Sequence, residues 1–301
     1  MKELAYIDGS FIELTDYAVQ LEDRGYQMGD GVYETIRVYD GACFAVKRHL
    51  ASYRRSMREL LIPITDTDEE LYRLFNEMIE KSGMQNGFIY FQLTRGTAPR
   101  RYEFPQPSLP HLNVILRDTP VRSDWQENGV RAALIEDIRW LRCDIRSLNL
   151  LGNVLAAEQA KRLGAAEALL YRREKDFITE GLDRAFFLIK DGVLWTHPAD
   201  NFIRSGVTRS LIKEKLAPRL DLTLVEKKFS REFLFKAEEA FFADTENEIV
   251  PVVEKSFFSS LKYGHTDFPL KGCSGVIADS GKYRNTSSPF CTCTSRGRPQ
   301  S

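Results

Sequence analysis

Three Asp-Gly pairs between short apolar and aromatic stretches constrain the fold more than any other feature of the sequence. Asp8-Gly9, Asp40-Gly41 and Asp191-Gly192 are each typical of the turn of a β-hairpin. The strands predicted around these turns are 5–7 and 11–12, 33–39 and 43–46, and 184–189 and 193–196. The sequence therefore predicts a protein in which hairpins supply much of the sheet.

Helical periodicity appears between the hairpins. Apolar residues recur with a helical period from His49 to Leu61, and Thr67-Asp68-Glu69-Glu70 has the spacing of a capping box that opens a helix ended by Gly83. Further helices are predicted over 150–163 and from Val207, and further strands over 88–94, 112–116, 130–135, 168–171 and 249–253. Because strands and helices do not alternate strictly, we expect an α+β fold.

The length of 301 residues favours two domains, since a domain contains about 150 residues. A polar stretch at 117–126, which contains Pro120, is the predicted boundary. We expect a small N-terminal domain over 1–120, a larger domain over 121–255 and a tail over 256–301. The tail is rich in Ser, Thr, Gly and Pro and carries three of the five cysteines, a composition typical of poor order.

The composition excludes several classes of protein. With 43% apolar residues, 28% charged residues and a net charge of −1, the chain is an ordinary globular sequence without the charge that nucleic acid or an anionic membrane would require. No apolar run approaches the roughly 20 residues of a membrane span. Residues 1–4 do not begin a signal peptide, so a cytoplasmic location is predicted. The four histidines are scattered and Cys291-x-Cys293 is too tightly spaced for a usual zinc site, so no metal is predicted.

Three segments are candidates for a functional site. Residues 23–34 hold three glycines directly before a strand, which is either a plain tight turn or a turn that places Tyr33 at the mouth of a pocket. Residues 90–102 run from a strand into a loop with Arg100, which is either a solvated basic loop or a trap for a carboxylate. Residues 136–149 alternate charged and apolar side chains, as either a surface strand or a strand beside a cleft would.

The three segments resemble the class IV pyridoxal-phosphate aminotransferases of fold type IV, and within them the D-amino-acid aminotransferases. They read DRGYQMGDGVYE, YFQLTRGTAPR and EDIRWLRCDIRSLNLLGNVLA, and ITEG, THPADN and SGVTR follow in the same order as in that family. The resemblance covers about residues 5–254. It implies a small α/β domain, a larger C-terminal domain with a barrel-like sheet, pyridoxal 5′-phosphate between them, and a homodimer. The implied reaction converts D-alanine and 2-oxoglutarate to pyruvate and D-glutamate.

The resemblance also implies roles for individual residues. Glu180 falls on the carboxylate that holds the pyridinium nitrogen, and Tyr33 falls on the active-site tyrosine. The site for the substrate carboxylate, which the partner subunit contributes in this family, falls on Tyr90 and Arg100, with Tyr102 in place of a histidine. The positions that hold the cofactor phosphate are Ser52, Gly206, Val207, Thr208 and Thr245.

Several positions depart from the family pattern. Arg146 stands in DIRSLNLLG where the family has the lysine that forms the Schiff base and then moves the substrate proton. An arginine keeps its proton and is not a usable amine, so Arg146 is predicted to be non-functional in that role. Ser52 replaces a phosphate-binding arginine, and Arg204 replaces a leucine. Residues 182–185 (LDRA) replace a run of small hydroxyl residues, and Asp183 there would repel a phosphate.

Three hypotheses follow from this pattern. The first is a catalytically impaired or inactive relic of a D-amino-acid aminotransferase, which binds pyridoxal phosphate weakly and without a covalent bond. The second is a non-catalytic protein that binds pyridoxal phosphate or an amino acid on the same scaffold. The third is an active aminotransferase despite the substitutions; the related aminodeoxychorismate lyases would need the same lysine. Because the resemblance stops near Val253, the tail is interpreted as a foreign or out-of-frame end.

Overall fold

The computed structural model describes residues 3–16, 18–120 and 122–253, so the predicted tail over 256–301 lies outside the described residues. The chain divides into two compact units. The first contains the residues before Arg122 together with Leu141–Leu151. The second contains Arg122–Trp140 and residues 152–253. The sequence-based division did not anticipate that Leu141–Leu151 belongs to the first unit.

The first unit is built on one six-stranded sheet with the order β2-β1-β6-β5-β3-β4, in which every neighbouring pair is antiparallel. Its strands are β1 (Leu4–Ile7), β2 (Ser10–Ile12), β3 (Gly31–Tyr39), β4 (Ala42–Cys43), β5 (Gly87–Thr94) and β6 (His111–Arg117). The two predicted hairpins are confirmed, and Asp8 and Asp40 adopt positive φ angles of 42° and 47° at their turns. Strand β4 is shorter than predicted because the following helix already begins at Val46.

The described residues of the first unit also form three helices, α1 (Arg24–Met28), α2 (Val46–Glu59) and α3 (Asp68–Ser82). The predicted capping box of α3 is present between Thr67 and Glu70, and Gly83 ends the helix at φ 66°. The short helix α1 was not predicted; Asp23 caps it by accepting hydrogen bonds from two backbone N–H groups. Helices α2 and α3 contribute a buried apolar stripe to the core of this unit: Leu50, Tyr53, Met57, Leu71, Phe75 and Met78.

The second unit mixes short helices with two sheets. Its helices are α4 (Ser123–Asn128), α5 (Leu151–Arg162), α6 (Val207–Leu211), α7 (Ala217–Arg219) and α8 (Arg231–Phe235), with a 3₁₀ turn at Arg173–Lys175 and a π turn at Ile212–Leu216. Its strands are β7 (Ala132–Glu136), β8 (Glu167–Arg172), β9 (Phe177–Ile178), β10 (Ala185–Lys190), β11 (Val193–Thr196), β12 (Leu224–Glu226), β13 (Glu239–Asp244) and β14 (Glu248–Pro251).

The two sheets of the second unit have the orders β12-β11-β10-β13-β14 and β7-β8-β9. The predicted hairpin at Asp191-Gly192 is confirmed as β10 and β11. Apolar residues of both sheets share one core, which includes Leu169 and Ile178 on one sheet and Phe186 and Phe242 on the other. Within the described residues the sheets do not close into a barrel. The mixture of helices with largely antiparallel sheets is an α+β fold, as predicted.

The charged segment over 136–149 does not form the strand that its alternation suggests. Beyond Glu136 it consists of turns and loop. Two of its three arginines bond to carboxylates two residues away, Arg139 to Asp137 and Arg142 to Asp144. These local pairs stabilise tight turns rather than an extended ladder, so periodicity alone gave a wrong prediction here.

Two searches of the described residues gave no candidates. None of the helices in this part of the chain is long and apolar enough for a membrane crossing. The His, Cys, Asp and Glu side chains that the structure describes form no group suited to holding a metal ion.

Candidate active site

Arg146 is fixed in the first unit by its own backbone. Its carbonyl oxygen accepts a hydrogen bond of 2.9 Å from the N–H of Tyr33, on β3. Its N–H donates to Oγ of Ser56, on α2, over 3.2 Å. The chain at position 146 is therefore tied to both the sheet and a helix, which leaves the side chain little choice of direction.

The guanidinium group of Arg146 lies among three residues of β3. Its Nε is 3.1 Å from Oε1 of Glu34, and its Nη2 donates to Oγ1 of Thr35 over 3.3 Å. Its Cζ is 4.8 Å from the centre of the Tyr33 ring, within the range of a cation–π contact. The site thus holds a planar cation by charge, hydrogen bonding and ring contact together.

Glu34 is the counter-ion of Arg146 and is almost completely buried, at 1% exposure. Burial by itself would raise the pKa of this carboxyl. The charge of Arg146, the contact with His49 and the N–H of Thr35 together lower the pKa to about 2. Glu34 therefore stays ionised at neutral pH and acts as a permanent partner of the guanidinium, not as a proton acceptor.

The predicted substrate residues of the first unit are partly brought together. Tyr33 stacks on Tyr90 with ring centres 5.8 Å apart, and the hydroxyl of Tyr90 donates to Oε1 of Gln92. Arg100 and Tyr102 lie on the loop between β5 and β6, where both are exposed, Tyr102 at 87%.

Ser52 lies on α2 of the first unit and is half-buried. Its carbonyl oxygen accepts a hydrogen bond from Ser56 Oγ. The helix therefore places a small hydroxyl at the position where the resemblance implies a phosphate-binding arginine.

Glu180 is the centre of a second cluster, which lies entirely in the second unit. It follows β9 and is 1% exposed. Its Oε1 accepts a hydrogen bond of 2.8 Å from Nη1 of Arg139, and its Oε2 accepts one of 3.1 Å from the N–H of Arg204. Full burial raises the pKa of Glu180, and the charges of Arg139 and Arg204 oppose that rise.

Asp137 fixes the arginine that reaches Glu180. Its two oxygens accept hydrogen bonds from Nε and Nη2 of Arg139, each 3.0 Å long, and from the hydroxyl of Thr179. The Nε of Arg172 lies 3.3 Å from the same carboxylate. Burial would raise the pKa of Asp137, but these arginines and the hydroxyl hold it below its usual value. Arg139 is therefore a rigid fork between two carboxylates.

The residues predicted for the phosphate lie at the start of α6 and after β13. Gly206 is the N-cap of α6, Val207 is its first residue, and the hydroxyl of Thr208 donates to the backbone oxygen of Asp244 over 2.9 Å. Thr245 follows Asp244 and is half-buried. The structure therefore brings these turn residues together, although the Thr208 hydroxyl already has a backbone acceptor.

Arg184, in the run that departs from the family pattern, is half-buried and pairs with two carboxylates whose side chains are largely buried. Its Nε is 2.8 Å from Oε2 of Glu167 and its Nη1 is 3.0 Å from Oδ2 of Asp244. Burial raises the pKa of both carboxyls, and Arg184 opposes the rise. The arginine at position 184 thus has acidic partners on β8 and β13.

Reasoning from the sequence missed the partners of Arg146 and Glu180. Glu34 and His49 are 15 residues apart and lie against each other at 3.4 Å. One signal was available for Glu34, because it is the acidic residue among the alternate apolar positions of β3, Val32, Ile36 and Val38. The pairing of Arg139 with Glu180 spans 41 positions and has no local signal.

Residues 31–254 match the family described as amino-transferase class IV. The chain therefore belongs to the class IV aminotransferases. Within that family it is similar to D-alanine aminotransferases. The enzyme of Staphylococcus haemolyticus is 44% identical over 250 residues, which cover 83% of this chain and 88% of the relative. The enzyme of Staphylococcus aureus strain MSSA476 is 41% identical over 253 residues, 84% of this chain and 89% of the relative.

The solved structures give the same scaffold. The branched-chain amino acid aminotransferase of Escherichia coli matches with a TM-score of 0.78 at 24% identity, over 84% of this chain and 86% of that chain. This likeness shows the fold, which is that of the fold-type-IV aminotransferases.

The family implies pyridoxal phosphate as cofactor, and the donor set of this chain fits it only in part. The Glu180 carboxylate accepts two hydrogen bonds and has lone pairs left for a ring N–H. Position 146 carries a guanidinium paired to Glu34, and no amine is available there for a covalent bond. The residues fit a carboxylate contact to the ring but not covalent attachment at position 146.

Proposed function

We propose that this chain is a catalytically impaired D-amino-acid aminotransferase, which keeps the scaffold of the family without its covalent step. The observation that carries the proposal is the ion pair between Arg146 and Glu34. A charged guanidinium does not serve as nucleophile or proton shuttle, and a general acid or base contributes about 10²–10⁴-fold to a rate. The pair also stabilises the charged form of Arg146, which keeps its nitrogens unavailable.

The proposed ancestral reaction is transamination of D-alanine with 2-oxoglutarate to pyruvate and D-glutamate. Support comes from the similarity to D-alanine aminotransferases and from the tyrosine pair Tyr33 and Tyr90, which line one face of the sheet beside Arg146. We propose that Tyr90, Arg100 and Tyr102 bind the substrate carboxylate. Glu180, Gly206, Val207, Thr208, Thr245 and Ser52 are the proposed contacts to the cofactor.

Pyruvate formation from D-alanine and 2-oxoglutarate in the presence of pyridoxal phosphate tests this proposal. We expect no turnover above the rate of free cofactor, and weak turnover from Arg146→Lys, because the other departures persist. Arg142→Lys, the same exchange at a half-buried position of the same loop, is the matched control and should leave the rate unchanged. Turnover by the natural chain as fast as that of a D-alanine aminotransferase with the lysine would refute the proposal, and full activity from the single reversion would show that the other departures are harmless.

A second candidate function is non-catalytic binding of pyridoxal phosphate or an amino acid. The intact carboxylate of Glu180, buried and held by Arg139, favours it. Titration calorimetry with pyridoxal phosphate and with D-alanine should then show binding without turnover. Absence of heat with both ligands would remove this candidate.

We also propose that the chain forms a homodimer in the cytoplasm. Helix α5 exposes Leu151, Val154 and Leu155 at 70%, 58% and 51%, and these positions share one helical face. Sedimentation should give a dimer, and Val154→Glu should shift it toward monomer. Glu77→Gln, on α3 of the first unit and away from this face, is the control, and equal association of both variants would place the interface elsewhere.

A further inference from the structure

The loop over 95–110, between β5 and β6, carries Arg100 and Tyr102, which are proposed to bind the substrate carboxylate. Both side chains are exposed, Tyr102 at 87%. A loop of this length without a helix or strand of its own is uncommon in a compact domain and is usually functional. Since the two side chains lie in solvent, they do not hold the loop in place themselves.

Arg24, on the short helix α1, holds the backbone of this loop. Its Nη1 donates to the carbonyl oxygen of Arg101 over 2.6 Å, and its Nη2 donates to that of Tyr102 over 3.5 Å. Its Nε donates to Oδ2 of Asp30 over 2.8 Å. Arg24 is 3% exposed, so its planar guanidinium group joins a carboxylate to the loop away from water. The two carbonyl groups that it holds come directly after Arg100.

Arg95, at the start of the loop, shares Asp30 with Arg24. Its Nε lies 2.9 Å from Oδ2 of Asp30, and its two Nη atoms donate to the carbonyl oxygens of Leu60 and Leu61 over 2.7 Å and 2.9 Å. Because Arg95 by itself balances the charge of Asp30, replacing Arg24 would leave a complete ion pair behind. What Arg24 adds is therefore the attachment of the loop, not the charge balance of the core.

We infer that Arg24 is a positioning residue for substrate binding, which fixes the loop so that Arg100 and Tyr102 are pre-organised for a carboxylate. The inference rests on the proposed function, which assigns the substrate carboxylate to these two residues. A ligand that binds an ordered loop does not bear the entropic cost of ordering it. The chain thus keeps its recognition of a carboxylate although position 146 lacks the amine for a covalent bond.

The test separates the contribution of the carboxylate from the rest of the binding. Calorimetry gives the dissociation constants of D-alanine and of D-alaninamide, which has an amide in place of the carboxylate, and their ratio measures that contribution. The variants are Arg24→Met, Arg24→Lys, which keeps the charge without the planar fork, and Arg100→Gln, which removes the proposed contact itself. Arg117→Met, which removes an exposed arginine at the end of β6 away from the loop, is the control.

Limited digestion with trypsin measures the order of the loop in the same proteins. Cleavage after Arg101 breaks the peptide bond whose carbonyl oxygen Arg24 holds, and its rate follows how often the loop opens. We expect cleavage there to be about tenfold faster in both Arg24 variants than in the natural chain. Arg100→Gln and Arg117→Met should leave the rate at this bond unchanged. Circular dichroism checks that each variant folds.

The natural chain and Arg117→Met should bind D-alanine about tenfold or more tightly than the amide, and this ratio should fall to about threefold or less in both Arg24 variants and in Arg100→Gln. A merely structural role of Arg24 would weaken the binding of both ligands equally and leave the ratio at its natural value. An unchanged ratio or an unchanged cleavage rate in the Arg24 variants would overturn the inference, and a ratio that still fell in Arg100→Gln would leave the proposed function intact. If the natural chain did not bind D-alanine, or bound both ligands equally, the inference and the proposed carboxylate contacts would both be wrong.

Discussion

The ion pair between Arg146 and Glu34 should dominate the acid sensitivity of the first unit. The pKa of Glu34 is lowered from 4.5 to about 2. Since the folded chain then binds fewer protons than the unfolded chain, the stabilisation is complete above pH 4.5 and is lost as the pH falls through 2. A shift of this size corresponds to about 3 kcal/mol of stability.

Replacing Arg146 by methionine removes the partner and leaves a buried carboxylate. We expect Arg146→Met to lower the free energy of unfolding at pH 7 by about 3–5 kcal/mol. The difference from the natural chain should shrink as the pH falls, because burial then raises the pKa of Glu34 in the variant and an uncharged carboxyl needs no counter-ion. The loss of Arg146 should therefore lower the free energy of unfolding by an amount that depends on pH.

Urea unfolding between pH 7 and pH 4, followed by far-ultraviolet circular dichroism, measures the loss of unfolding free energy and its dependence on pH. Tryptophan fluorescence would report the wrong part of the chain, because Trp125, Trp140 and Trp195 all belong to the second unit. Arg162→Met, which breaks an exposed pair with Glu158 on α5, is the control and should cost less than about 0.5 kcal/mol at any pH. A cost below 1 kcal/mol for Arg146→Met, or one that does not vary with pH, would refute the reasoning.

Two other arginines, Arg184 and Arg37, lead to opposite expectations, both measurable by urea unfolding at pH 7. Arg184→Met should lower the free energy of unfolding by about 3–5 kcal/mol, because Glu167 and Asp244 lose their shared counter-ion; a cost below 1 kcal/mol would show that the network is not stabilising. Arg37 is fully buried, and within the described residues its three guanidinium nitrogens have no hydrogen-bond partner. Arg37→Met should therefore leave stability unchanged or raise it by up to about 2 kcal/mol, and a clear loss would mean that the contact with the Tyr39 ring outweighs desolvation.

Local signals predicted the parts of the fold that depend on neighbouring residues. The Asp-Gly turns fix hairpins because the turn geometry is set within two residues, and the capping box of Thr67 and Glu70 fixes the start of α3 in the same way. The same kind of reasoning gave a wrong prediction for the segment 136–149, which does not form a strand beyond Glu136. Its charged side chains satisfy each other and distant carboxylates, and periodicity cannot distinguish that from an exposed strand.

The resemblance predicts roles for Arg146, Glu180 and Tyr33, but it does not predict which residues contact them. The charge that holds Arg146 comes from Glu34, far away along the chain. Such pairs depend on how β3 and the segment Leu141–Leu151 meet in the first unit, which no local pattern encodes. The same holds for Arg184, whose acidic partners lie on β8 and β13 and are not evident from the sequence around it.

The absence of a covalent bond to the cofactor is the central claim, and borohydride trapping tests it most directly. The protein is mixed with one equivalent of pyridoxal phosphate, reduced, digested and mapped by mass spectrometry, with Arg146→Lys treated in parallel. We expect no stoichiometric adduct on any lysine of the natural chain, and an adduct at position 146 in the variant. A stoichiometric adduct on one lysine of the natural chain would contradict the account, because another amine would then have taken over the role that Arg146 cannot fill.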